Sequence, residues 1–172
     1  MNKKQVILVD SNDNEIGVME KMQAHIEGAL HRAFSVFLFN KKGELLLQQR
    51  ALEKYHSGGL WTNTCCSHPA PGEPLEAAVK KRLQEEMGIT CDTKYVGSFL
   101  YCAKVNNMLT EHALDHVFVG SYTEAPSPSA QEVAAWRYSS ISEIKKELSS
   151  CPEKYTAWFE KALNELVKQK YI

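Results

Sequence analysis

Between Pro74 and Gly88 the apolar residues Leu75, Ala78, Val79, Leu83 and Met87 recur at a spacing that a helix gathers onto one face. Pro74 suits the first helical turn, where a missing N–H costs nothing, and Gly88 suits the C-terminal cap. This helix sits in a chain otherwise cut by turn residues into short apolar runs. Val6–Val9 and Ile16–Val18 flank Ser11-Asn12-Asp13-Asn14, and Phe34–Phe39 and Leu45–Gln49 flank Asn40-Lys41-Lys42-Gly43, a hairpin signal. The glycine-bearing loop 54–61 leads into Thr62–Ser67, and prolines mark a further loop at 69–74. Strands are expected at Tyr95–Cys102, Leu109–Tyr122 and Val133–Tyr138, and a short helix at Ser142–Leu148. After Pro152, Tyr155, Trp158, Phe159, Ala162, Leu163, Leu166 and Val167 outline a long amphipathic helix. Strands outnumber helices, so the expected fold is α/β, a mixed α+β sheet with flanking helices, in one domain over residues 1–172.

That length allows a sizeable core, and 44% hydrophobic with 24% charged residues places the chain among globular proteins rather than disordered ones. A net charge of −1 lacks the clustered Lys and Arg that a nucleic-acid backbone requires, although a small anion needs only a few local cations. The apolar run near the N-terminus is too short for a signal-peptide core or a membrane span. Cys65, Cys66, Cys91, Cys102 and Cys151 form an odd set with two adjacent members, which reads as reduced thiols and a cytoplasmic setting. Oligomeric state is left open.

Arg82 and Glu86, four residues apart, share a helix face, and taken alone they would make an ordinary surface ion pair. The frame around them is more specific. Ser67, Glu73, Leu83, Glu85-Glu86 and Gly88-Ile89 resemble the loop–helix–loop box of the Nudix superfamily, whose helix carboxylates bind Mg²⁺ that bridges diphosphate oxygens. Ser67 stands where that box begins with glycine, and Lys81-Arg82 stands where it carries Arg-Glu. The resemblance therefore implies Mg²⁺-assisted diphosphate binding at Glu86 without the full carboxylate set of a hydrolase.

Upstream, Trp61-Thr62-Asn63-Thr64-Cys65-Cys66-Ser67-His68-Pro69 resembles the active-site signature of the type I isopentenyl diphosphate isomerases. The similarity runs through Glu20-Lys21, Ala24-His25, His31-Arg32-Ala33-Phe34-Ser35, Gln49-Arg50-Ala51-Leu52 and Trp158. It implies a Nudix-like fold and a catalytic thiol at Cys66, a group whose pKa can be tuned so that it gives or takes a proton. It further implies one divalent metal, Mn²⁺, Zn²⁺ or Mg²⁺, held by His25, His31, His68 and Glu111. Lys21, Arg50, Lys54 and Arg82 match the cations around the diphosphate. Tyr101 and Trp158 match aromatics of the isoprenoid pocket, with Tyr101 counted among the catalytic groups. One position departs: where the family reads Glu-His-Glu-x-Asp, this chain reads Glu111-His112-Ala113-Leu114-Asp115. Residues two apart on a strand face the same side, so Ala113 removes a carboxylate that would converge with Glu111.

The implied activity is interconversion of isopentenyl and dimethylallyl diphosphate. An alkene is protonated to a tertiary carbocation in a dry pocket and a neighbouring proton is removed, with Cys66 on one side and Glu111 or a metal-bound water on the other. Two further readings stay open: a Nudix-type diphosphate hydrolase, and a diphosphate-binding homologue impaired in catalysis by Ala113.

Overall fold

The computed structural model describes residues 4–172; residues 1–3 of the expected domain lie outside them. In chain order the elements are β1 (Gln5–Val9), β2 (Glu15–Glu20), α1 (Lys21–Glu27), β3 (His31–Phe39), β4 (Leu45–Arg50), β5 (Trp61–Thr62) and β6 (Cys65–Ser67). There follow α2 (Leu75–Met87), β7 (Thr93–Lys104), β8 (Thr110–Ser121), β9 (Val133–Ser139), α3 (Ile141–Ser150), a 3₁₀ turn (Pro152–Lys154) and α4 (Phe159–Lys168). The mixed α/β expectation holds, and α2 starts and stops where Pro74 and Gly88 indicate, with Gly88 in the left-handed conformation at φ 66°.

The long strands β3 and β8 run parallel, paired from His31↔Ala113 to Phe39↔Ser121, and form the middle of a nine-stranded sheet. A parallel pair has both faces covered, which suits the nearly unbroken apolar run of β3. Strand alternation divides that run. Phe34, Val36 and Leu38 pack with Ala78, Val79, Leu83 and Met87 of α2, while Phe37 packs with Phe159, Ala162, Leu163 and Leu166 of α4. Each of these fully buried large side chains contributes about 1.5–3 kcal/mol by leaving water.

Toward the N-terminal end of the parallel pair the side facing α4 changes character. It carries His31, Ala33 and Ser35 from β3 and Glu111, Ala113 and Asp115 from β8, all buried. Tyr101 on β7 lies opposite Ala113, and Cys66 on β6 lies opposite Ser35, so register alone brings both beside this face.

Two local expectations are corrected and one element is added. The β3–β4 hairpin exists only at its mouth, Phe39↔Leu45, after which the strands part. The 62–67 segment wedges between them: Thr64 Oγ1 accepts from Leu38 N at 3.0 Å and donates to Leu46 O at 2.7 Å. The long C-terminal helix is shorter than its apolar pattern, because Tyr155 bridges to Trp61 and Thr156 N donates to Trp61 O at 3.0 Å. These bonds take backbone that a helix would use, so Tyr155 and Trp158 precede α4. The short helix α1 was not anticipated; Glu20 caps Met22 N and Gln23 N, and Gly28 ends it.

Candidate active site

The polar residues of the Trp61–Pro69 signature are structural before they are chemical. Asn63 Nδ2 donates to Val36 O and Cys65 O, and Thr62 Oγ1 donates to Asn63 Oδ1 while accepting from Thr156 Oγ1. With Thr64 spanning β3 and β4, these buried bonds fix β6 against β3. Cys66 and His68 project from that support into a cleft that both help to line.

At one end of the cleft His25, His31, His68 and Glu111 converge, with one ligand atom from each lying within 4.8 Å of the others. Glu111 Oε2 is 2.8 Å from His25 Nε2, and Oε1 is 3.0 Å from His31 Nε2 and 3.3 Å from His68 Nε2. His25 Nδ1 lies 2.7 Å from Lys21 O and His31 Nδ1 lies 2.8 Å from Ala29 O. A carbonyl only accepts, so both Nδ1 atoms carry the proton, and in the neutral rings both Nε2 atoms offer lone pairs. Those lone pairs face a carboxylate, and His31 Nε2 faces His68 Nε2 at 3.1 Å. Acceptors opposed in a buried cluster call for a cation between them. The donor set of imidazoles with one carboxylate fits a divalent metal.

Burial acts to raise the Glu111 carboxyl, but the three imidazoles set against it outweigh burial and hold the group well below the usual carboxylate range. Burial, reinforced by Lys21, pushes the His68 imidazole well below its ordinary value. Lys21 is itself lowered to about 8 by burial, with Glu111 opposing the shift.

The cations stand around the same cleft. Arg82 Nη2 donates to Glu86 Oε1 at 2.7 Å, as their helix spacing predicts, and also reaches Glu132 Oε1 at 3.3 Å. Lys54 pairs with the second oxygen of Glu132. Gln48 Nε2 ties the other oxygen of buried Glu86 to the sheet at 3.1 Å while bonding Thr64 O. Arg50 stacks over the Trp158 ring at 5.5 Å, and Lys21 over Tyr55 at 5.4 Å. All the sequence-nominated residues thus meet at one cleft and the cluster at its end.

Cys66, Tyr101 and Trp158 line the cleft as well. Burial pushes the Cys66 thiol up to about 12, although Arg50 counters it, and also raises the Tyr101 hydroxyl. Both are therefore proton-bearing groups at neutral pH. Ala113 is fully buried in the same small cluster as Ala33, Tyr101 and Trp158.

Sequence reasoning undervalued Asp115 and passed over His56, Gln48 and Glu132, whose importance rests on contacts far along the chain. Asp115 Oδ2 accepts from Ser35 Oγ at 2.7 Å, while Oδ1 has no partner. Burial lifts its carboxyl to about 7 against that hydrogen bond. A folded pKa above the unfolded 3.8 means that stability from the neutral acid is complete below 3.8 and lost as pH rises through about 7. Asp115→Asn is therefore expected to flatten the pH dependence of urea unfolding in this window and to be more stable than the parent at about pH 8. A parent whose stability does not fall across that range would exclude this environment for Asp115.

Comparison with known proteins gives the fold and the family. The NUDIX domain family matches residues 29–159. Isopentenyl-diphosphate Delta-isomerase of Pectobacterium atrosepticum is 51% identical over 91% of this chain and 87% of its own length. The Burkholderia multivorans protein of the same name is 50% identical over 91% and 89%, and that of Photobacterium profundum 48% over 97% and 96%. Among solved structures, DR0079 from Deinococcus radiodurans superposes with a TM-score of 0.79 at 17% identity, covering 98% of this chain and 100% of that one. The MutT protein of Methanosarcina mazei gives 0.67 at 21%, covering 83% and 96%, and these two likenesses establish the fold. Identity near one half across nearly the whole chain, on a NUDIX domain that gathers the signature residues into one cleft, makes this chain a member of the isopentenyl-diphosphate Delta-isomerase family.

Proposed function

We propose that the chain interconverts isopentenyl and dimethylallyl diphosphate, with Cys66 and Glu111 as proton carriers. The observation that carries this reading is the placement of a neutral thiol, two aromatic rings and a buried His/Glu cluster in one cleft flanked by cations. Lys21, Arg50, Lys54 and Arg82 bind and orient the diphosphate, and Glu86 would offer a carboxylate to Mg²⁺, which would neutralise the anion's charge. For Lys54 and Arg82 this requires the anion to compete with Glu132. A divalent metal at the histidines would draw electron density from Glu111 and fix its orientation. Cys66 holds its proton at Sγ against the alkene, and Trp158 offers a ring face to the positive charge that follows. The buried walls exclude water, which a tertiary carbocation would capture at once. With five unpaired thiols, we place the reaction in the cytoplasm.

Product analysis with isopentenyl diphosphate tests the reading. Dimethylallyl diphosphate is expected; phosphate release would mean a hydrolase, and neither product would leave the binding protein that Ala113 suggests. In the same assay Glu86→Gln should raise KM for the diphosphate while the histidine cluster keeps its metal. An unchanged KM would remove Glu86 from substrate binding.

A further inference from the structure

His56 stands against Glu111 but outside the convergent ligand set. Its ring is buried, and its Nε2 lies 3.5 Å from Glu111 Oε2, the oxygen that also meets His25. The loop that presents it is held tightly. Arg50 Nη2 donates to His56 O at 3.3 Å, Ser57 takes a left-handed φ of 54°, and a Cβ at Gly58 would lie 2.4 Å from Leu52 O. A non-glycine residue in that conformation costs about 1–3 kcal/mol, so the surrounding structure imposes it. The ring packs edge-on against Tyr55 at 4.5 Å and Trp158 at 6.0 Å.

What separates His56 from its neighbours is the partner of its other nitrogen. His25 and His31 set Nδ1 against carbonyl oxygens, which forces a lone pair at Nε2. His56 Nδ1 lies 3.1 Å from Ser57 Oγ, a hydroxyl that can donate. With Ser57 donating to Nδ1, the neutral ring carries its proton on Nε2, the nitrogen 3.5 Å from Glu111 Oε2. Among the described residues, the nitrogens within hydrogen-bond distance of Glu111 are the Nε2 atoms of His25, His31 and His68, the ones a metal would take. His56 is then the imidazole left to hold the carboxylate, in a chain where Ala113 supplies no second one.

We propose that His56 is a positioning residue, donating Nε2–H to Glu111 Oε2 so that the single carboxylate of the cluster stays oriented toward the metal. This deepens the metal-site reading above and needs no substrate to test. Co²⁺ titration, followed by visible absorption, compares the parent with His56→Phe, which keeps ring packing without a donor, and with His56→Gln, which keeps an N–H. His56→Phe should bind Co²⁺ about 10–100-fold more weakly, the usual cost of losing such an outer partner. His56→Gln should recover most of the affinity, and the Co²⁺ band positions should be the same in all three. Equal affinity in parent and Phe variant overturns the proposal, as does a Gln variant as weak as Phe. Shifted bands would make His56 a ligand instead, which also overturns it. If His56→Phe does not fold, His56→Ala against His56→Gln makes the same comparison. A parent that binds no Co²⁺ would overturn the metal-site reading and this inference together; a parent that binds Co²⁺ without isomerising substrate would leave this inference standing.

Discussion

Ala113→Glu is expected to raise turnover of isopentenyl diphosphate by about 10²–10⁴-fold, the range a positioned acid–base group contributes. Ala113 faces the same side of β8 as Glu111, opposite Tyr101 on one neighbouring strand and His31 on the other. A carboxylate placed there enters the row between the metal cluster and the aromatic wall. Cys66→Ala in the Ala113→Glu background should abolish most of the gain, because two carriers serving one proton shift act as a unit and their effects do not add. Turnover of the parent, the single variant and the double variant decides the matter. A parent that is already fast, and gains nothing from the glutamate, would show that Ala113 is no deficit. Asp115, with one unpartnered oxygen at the same cleft, would then be the carboxylate to examine.

Replacing Glu111 by Gln should have the largest effect on the metal site. Loss of a ligand exceeds loss of an outer partner, so metal affinity should fall by more than about 100-fold in a calorimetric titration. The metal-free fold should suffer as well. The pH dependence fixes the sign. A carboxyl held below its unfolded value of 4.5 contributes stability that is present above 4.5 and lost as pH falls through the lower folded value. Glu111→Gln should therefore lose the acid-side dependence that this group gives the parent. Metal affinity and acid stability indistinguishable from the parent would mean that the cluster does not form around Glu111.

Much of the fold is written in local pattern. The periodicity from Leu75 to Met87, with Pro74 before and Gly88 after, specifies α2, since spacing and end residues act within the helix itself. The apolar runs specify β3 and β8, and the Trp61–Pro69 signature with its outlying histidines and cations names the residues that meet at the cleft. Tertiary contacts decided the rest. Thr64 parts β3 from β4, and Thr156 delays α4, because hydrogen bonds to residues distant in sequence outweigh the local preference for a hairpin or a longer helix. Glu132 reaches Lys54 and Arg82 only after β9 is laid beside β4. His56 carries no periodic or spacing signal; its bearing on Glu111 follows from a loop bent by Ser57 and Gly58 and closed by Arg50. A sequence states which side chains are present and which face of an element they occupy, whereas a proton's position on an imidazole is set by the partner that folding places against its other nitrogen.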